Sequence, residues 1–200
     1  MSESFNPWTG LWLAPRKTIR AILNTDPTYL VIALAAGIGA LSGIQEVSIL
    51  SYEPEFKDTS STAFLVGGAI GGAIGGVVFL YLFGWLTNVV AGWLGGESTS
   101  QSMRAVNAWS SVPTAVIAIA AVVLYTLLDV EAAIIIVGLI SFVIGIWQII
   151  IFSMMAGEAN NFSAWRGFGT LLLTVLIFFV TVFVLVFVVA LMAAALGIAA

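Results

Sequence analysis

The sequence contains no cysteine and no histidine. Without cysteine there is no disulfide and no thiol chemistry, and the redox compartment leaves no trace. Without histidine the commonest general base and metal ligand is missing, and with it any Ser-His pair or histidine-based zinc motif. Aspartate is scarce as well: Asp26, Asp58 and Asp129 are the only ones. All three fall in predicted loops or at span ends, so no intramembrane aspartyl pair is available. No phosphate-binding glycine loop ends in Lys-Ser/Thr. These absences argue against an enzyme and against a bound cofactor or metal. Charged residues make up only 8% of the chain, against about 25% in an ordinary soluble domain. The net charge of -4 is dispersed and gives no case for a nucleic-acid partner. The segment before Pro27 lacks the apolar core of a cleavable signal peptide and carries Pro7 and Pro15.

What is present is apolar: 61% of the residues are hydrophobic, more than a soluble fold of this size can hide from water. Charges cluster and leave long gaps, from Pro27 to Gln45, Thr59 to Gly96, Ala105 to Leu128, Ala132 to Gly157 and Gly167 to Ala200. Each gap meets or approaches the ~20 residues that cross a ~30 Å hydrocarbon core as a helix. Backbone groups in lipid must be satisfied internally, so the spans are helical. The expected fold is an all-α integral membrane protein with five transmembrane helices. Their predicted limits are about 29–50, 63–85, 112–128, 132–155 and 168–191. Residues 28–200 form one membrane domain, with the third and fourth spans joined by a tight turn at Asp129, Val130 and Glu131.

Residues 1–27 read as a cytoplasmic amphipathic arm. Pro15 suits a first helical turn; Arg16, Lys17 and Arg20 group on one side, and Ile19, Ile22 and Leu23 on another. With Trp8 and Trp12 upstream, this predicts an interfacial helix lying on the bilayer, the alternative being a solvated juxtamembrane arm. Arg16, Lys17, Arg20, Arg104 and Arg166 share one side of a five-span topology, and Lys57 alone lies opposite. The positive-inside rule then sets the N-terminus in the cytoplasm and the C-terminus outside.

In the second span Gly68, Gly72 and Gly76 repeat every four residues, and Gly67, Gly71 and Gly75 do the same one step away. Such stripes let helix backbones approach closely, and Ala35, Gly39 and Gly43 on the first span offer a matching face. Packing within the chain is the favoured reading; a homo-oligomer interface and a glycine-lined conduit are the alternatives. Glu46 and Gln148 are candidate intramembrane polar groups. Glu46 also reads as an ordinary interfacial carboxylate, and Gln148 as an interhelical hydrogen-bonding group. At the cytoplasmic face, Asn88, Trp93, Glu97, Arg104, Asn107, Trp109, Glu158, Asn160, Asn161, Trp165 and Arg166 gather. They are read as belt, cap and ion-pair residues, with Arg104 or Arg166 meeting Glu97, Glu158 or Asp26, or else as a docking surface for a protein or lipid headgroup.

Asn6-Pro7-Trp8, Trp12, Pro15-Arg16-Lys17-Thr18-Ile19-Arg20 and Asn24-Thr25-Asp26-Pro27 resemble the prokaryotic branch of the Yip family. Leu94-Gly95-Gly96, Ser100, Arg104-Ala105 and Trp109-Ser110-Ser111-Val112-Pro113 resemble its second-to-third connection, and Asn161-Phe162-Ser163 with Arg166-Gly167 the approach to its last span. The resemblance covers essentially the whole chain, in order. It implies a five-span membrane protein, related to eukaryotic proteins that interact with Ypt/Rab GTPases and are associated with vesicle trafficking and membrane shaping. The long N-terminal region and the Asp-Leu-Tyr-Gly-Pro type of motif of those relatives have no counterpart in this sequence. The expected role is to bind or organise membrane components in a prokaryotic cytoplasmic membrane; the alternative is a small transporter, channel or lipid-moving protein using the glycine-rich second span.

Overall fold

The computed structural model describes residues 6–50 and 61–196. Eight helices follow one another: α1 (Pro7–Leu13), α2 (Pro15–Thr25), α3 (Val31–Leu50), α4 (Ser61–Trp93), α5 (Ser100–Ser110), α6 (Val112–Leu127), α7 (Val130–Ala159) and α8 (Ala164–Ala195). Five helical stretches are long and apolar enough to cross a membrane: α3, α4, α5 with α6, α7 and α8. Lys57, used above for topology, and Asp58 lie outside the described residues.

The arm is two short helices rather than one. Asn6 caps α1 by accepting from Trp8 N at 2.9 Å. Pro15 then starts α2, because its ring favours a first turn and its missing N–H cannot continue α1. The arm ends in a turn where the Asp26 carboxylate accepts from Thr28 N at 2.8 Å and Thr28 Oγ1 at 2.6 Å. Those two bonds hold the Asp26 carboxyl below the usual carboxylate range.

The third span is broken. α5 and α6 meet at Ser111, with Pro113 in the first turn of α6. The predicted span began at residue 112 and took in only α6. The polar α5 was passed over because its charge and amides interrupt the apolar run, yet six of its residues are buried. Asp129 caps α7 through Ala132 N at 3.0 Å, making the tight turn that reverses α6 into α7.

The main core lies at the arm end of the bundle. Leu11, Ile19 and Ile22 from the arm join Met103, Val106, Trp109, Ile151 and Met155 from α5 and α7. A smaller cluster, Ala121, Tyr125, Ala133 and Val137, ties α6 to α7 at the far end.

Candidate functional site

Two features of the arm end carry functional groups: the face made by the docked arm, and a cavity beneath it. Docking of the arm starts from its pattern. Ile19 and Ile22 are three residues apart, so both point from α2 toward α5 and α7, where they are 0% and 5% exposed. Leu11 of α1 is fully buried beside them. The face predicted to rest on lipid is therefore taken up by protein.

Trp109 is the pivot of this contact. Its ring is fully buried, stacks on Tyr29 at 6.0 Å and 14°, and meets Trp8 at 5.1 Å and 59°. Its indole N–H donates to Tyr29 O at 3.2 Å. It was read as a belt residue, because a Trp near a span end has the same sequence signature whether it faces lipid or protein. Nearby, the buried Asn160 amide accepts from Ser98 N at 3.2 Å and donates to Ala156 O at 2.9 Å. It thus joins the turn after α7 to the turn before α5. A Cβ at Gly96 would strike Asn160, so the close approach requires glycine there.

The ion pair tying arm to bundle is Arg20 with Glu158. The expected Arg104 and Arg166 pairs do not form among the described residues. Arg104 instead lies over the Tyr81 ring, 4.7 Å from its centroid, and Arg166 is exposed at the start of α8, with its guanidinium beside the Gly95 turn. Arg16 and Lys17 are exposed on the outer side of α2, Trp12 is half-buried, and Trp8 is 44% exposed. Trp93 and Trp165, at the ends of spans on this same side, are 68% and 82% exposed.

Within the spans, α3 and α4 run antiparallel with their backbones in contact. A Cβ on Gly39 would land on Gly72 O and lie 3.0 Å from Gly76 Cα; one on Gly43 would land on Gly68 O. Gly67, Gly71 and Gly75, the second glycine row, have nothing within 4 Å of their Cβ positions. The two rows thus do different things: one touches α3, the other is open.

Next to this contact is a half-open cavity of about 890 Å³. Gly75 and Phe79 of α4, Ser42 of α3, and Gly145 and Ile149 of α7 line it, with Leu172 of α8. Its polar groups are few and neutral. Thr114 Oγ1 donates to Gln148 Oε1 at 3.0 Å. The Asn107 amide donates to Thr87 Oγ1 at 3.0 Å and to Met103 O at 2.8 Å. Asn107, Ser110 and Ser111, at the break between α5 and α6, complete the polar side. Glu46 is exposed on α3 and takes no part in the lining. The sequence offered a glycine-lined conduit as an alternative and Gln148 as a polar group, but not a cavity of this shape, which depends on how far α7 and α8 stand from α4.

A polytopic helical membrane protein with an amphipathic arm folded onto one end of five spans is the class these features define. The chain belongs to the Yip family, matching the Yip1 domain over residues 9–186. No curated protein and no solved structure matches it.

Proposed function

We propose that this protein binds and organises membrane components through the face built on its docked arm, without catalysing a reaction. The observation that carries this reading is the division of α2. Ile19 and Ile22 are spent on the bundle, while Arg16 and Lys17 remain exposed. Amphipathic helices that lie free on lipid use their apolar face for insertion; here that face is occupied, so cationic side chains and flanking tryptophans do the recognising. Trp8, Trp93 and Trp165 suit the headgroup layer, where an aromatic ring meets both lipid and water. Arg166 adds a further cation at the same end.

This end faces the cytoplasm in our reading, since Arg16, Lys17, Arg20, Arg104 and Arg166 gather there and such a bias orients membrane proteins. The resemblance in the arm supports a prokaryotic cytoplasmic membrane. Anionic headgroups are the first partner chemistry that the exposed cations fit, each contributing about 1 kcal/mol near an anionic surface. A protein partner with acidic residues would use the same face.

Reconstitution with fluorescent phosphatidylglycerol as quencher or acceptor for the arm tryptophans tests this. The double variant Arg16→Glu/Lys17→Glu leaves the docked face untouched and is expected to lose the enrichment of anionic lipid beside the arm. Unchanged enrichment, with the arm still protected from protease, would remove the lipid-headgroup reading.

A further inference from the structure

The cavity has no role in the face just described, and three observations on it converge. The first is its chemistry. No charged side chain lines it, and its walls are glycine, aliphatic carbons and aromatic rings. Its volume falls in the range of pockets that enclose a small organic ligand.

The second is a broken helix at the same place. Irregular backbone within a membrane span is tolerated where it is buried in protein or lines a cavity. Here the break at Ser111 does line the cavity. Its local groups are turned inward on themselves: Ser110 Oγ donates to Asn107 O at 3.2 Å and Ser111 Oγ to Ala108 O at 2.8 Å.

The third is the unused hydrogen-bonding capacity of two amides. Gln148 accepts from Thr114, and its own Nε2 donors have no partner among the described residues. Asn107 donates twice, and its Oδ1 accepts from none of them. A donor and an acceptor are thus left on the polar side of an otherwise apolar chamber.

Depth narrows the occupant. Gly145 to Phe152 of α7 and Leu171 to Val175 of α8 lie roughly 10–20 Å from the arm-side ends of their helices, at 1.5 Å per residue. Those helices overhang a ~30 Å core, and Gly43 of α3, also in the lining, lies about 18 Å from the start of its span, so the cavity runs through the arm-side leaflet to about the middle of the membrane. A lipid from that leaflet can place its polar end at the helix break and its chain along Gly75 and Phe79.

From these we infer that the cavity is a binding site for an uncharged, hydroxyl-bearing lipid of the diacylglycerol type. A hydroxyl serves either amide, accepting from Gln148 Nε2 or donating to Asn107 Oδ1. A phosphate-bearing headgroup would bring a charge into a site with no cation to meet it, at a high desolvation cost. Phosphatidylglycerol is therefore excluded from the cavity, and this inference stands independently of the role proposed for the arm.

Native mass spectrometry of the full chain released from nanodiscs tests the site. The discs contain diacylglycerol, its acetyl-capped form or phosphatidylglycerol at equal fractions. The native chain is expected to retain one diacylglycerol at least tenfold more than the capped lipid or phosphatidylglycerol. Gly75→Leu and Gly145→Leu fill the chamber from positions where a Cβ meets nothing within 4 Å, and should lower retention at least tenfold. Gly71→Leu, equally open but outside the lining, should retain it. Thr114→Val/Gln148→Leu should hold the free and capped lipids alike. Equal retention of the free and capped lipids by the native chain, or undiminished retention by both filling variants, would overturn the assignment. Preferential retention of phosphatidylglycerol that the filling variants abolish would overturn it too.

Discussion

Trp109 holds two parts of the arm end at once, with its ring against Trp8 and Tyr29 and its N–H on the Tyr29 carbonyl. Truncation to alanine leaves a void of aromatic size in the fully buried core. Trp109→Ala should cost about 3–5 kcal/mol, whereas Trp109→Phe keeps a ring and loses one hydrogen bond, about 1 kcal/mol. Detergent unfolding curves check the order. Trypsin adds a local readout, because Arg16, Lys17 and Arg20 lie on the arm: the alanine variant should be cut there first. Equal protection of both variants would show that the arm is held by other contacts.

At the scale of helices, the two glycine rows of α4 give a matched comparison. Gly72→Leu drives a side chain into the Gly39 backbone and should destabilise the α3–α4 pair by about 1–3 kcal/mol or more. Gly71→Leu meets open space and should be near neutral in the same unfolding assay. If the two behave alike, the contact between the backbones contributes little.

The spans themselves were legible because charge gaps track hydrocarbon thickness: α4 lies wholly inside one, and α3, α7 and α8 fill theirs and run past the ends at Glu46, at Glu131 and Glu158, and at Arg166. α5 was not, since Arg104 and Asn107 look like loop residues until Tyr81 and Thr87 are seen to receive them. The tie between arm and bundle was legible in kind but not in partner. Glu158 was a candidate acid, yet which arginine reaches it depends on where α2 is laid by Ile19 and Ile22. Trp109 could not be sorted from Trp93 or Trp165 by sequence, for all three flank spans; only one is buried.

For the whole molecule, arm and bundle behave as a unit through apolar contact first and charge second. Arg20 is 62% exposed in its pair with Glu158, so the pair should contribute only about 0.2–1 kcal/mol. A double-mutant cycle with Arg20→Glu, Glu158→Arg and the swapped pair should return a coupling of that size by protease protection of the arm. A null coupling would leave docking to the apolar and aromatic contacts, Leu11, Ile19 and Ile22 with Trp8 on Trp109.

The far half of α8 follows a different rule. From Phe179 to Met192 its side chains are exposed on every side. Its uncharged stretch from Gly167 to Ala195 measures about 43 Å at 1.5 Å per residue, longer than a ~30 Å core. Its arm-side half packs on α7 and α4, which sets its inclination, so the far half, exposed all round, is where the bilayer must thicken or thin to match it. The host membrane thus adjusts its depth around the free end of a rod whose base is clamped where Gly167 abuts Ser153.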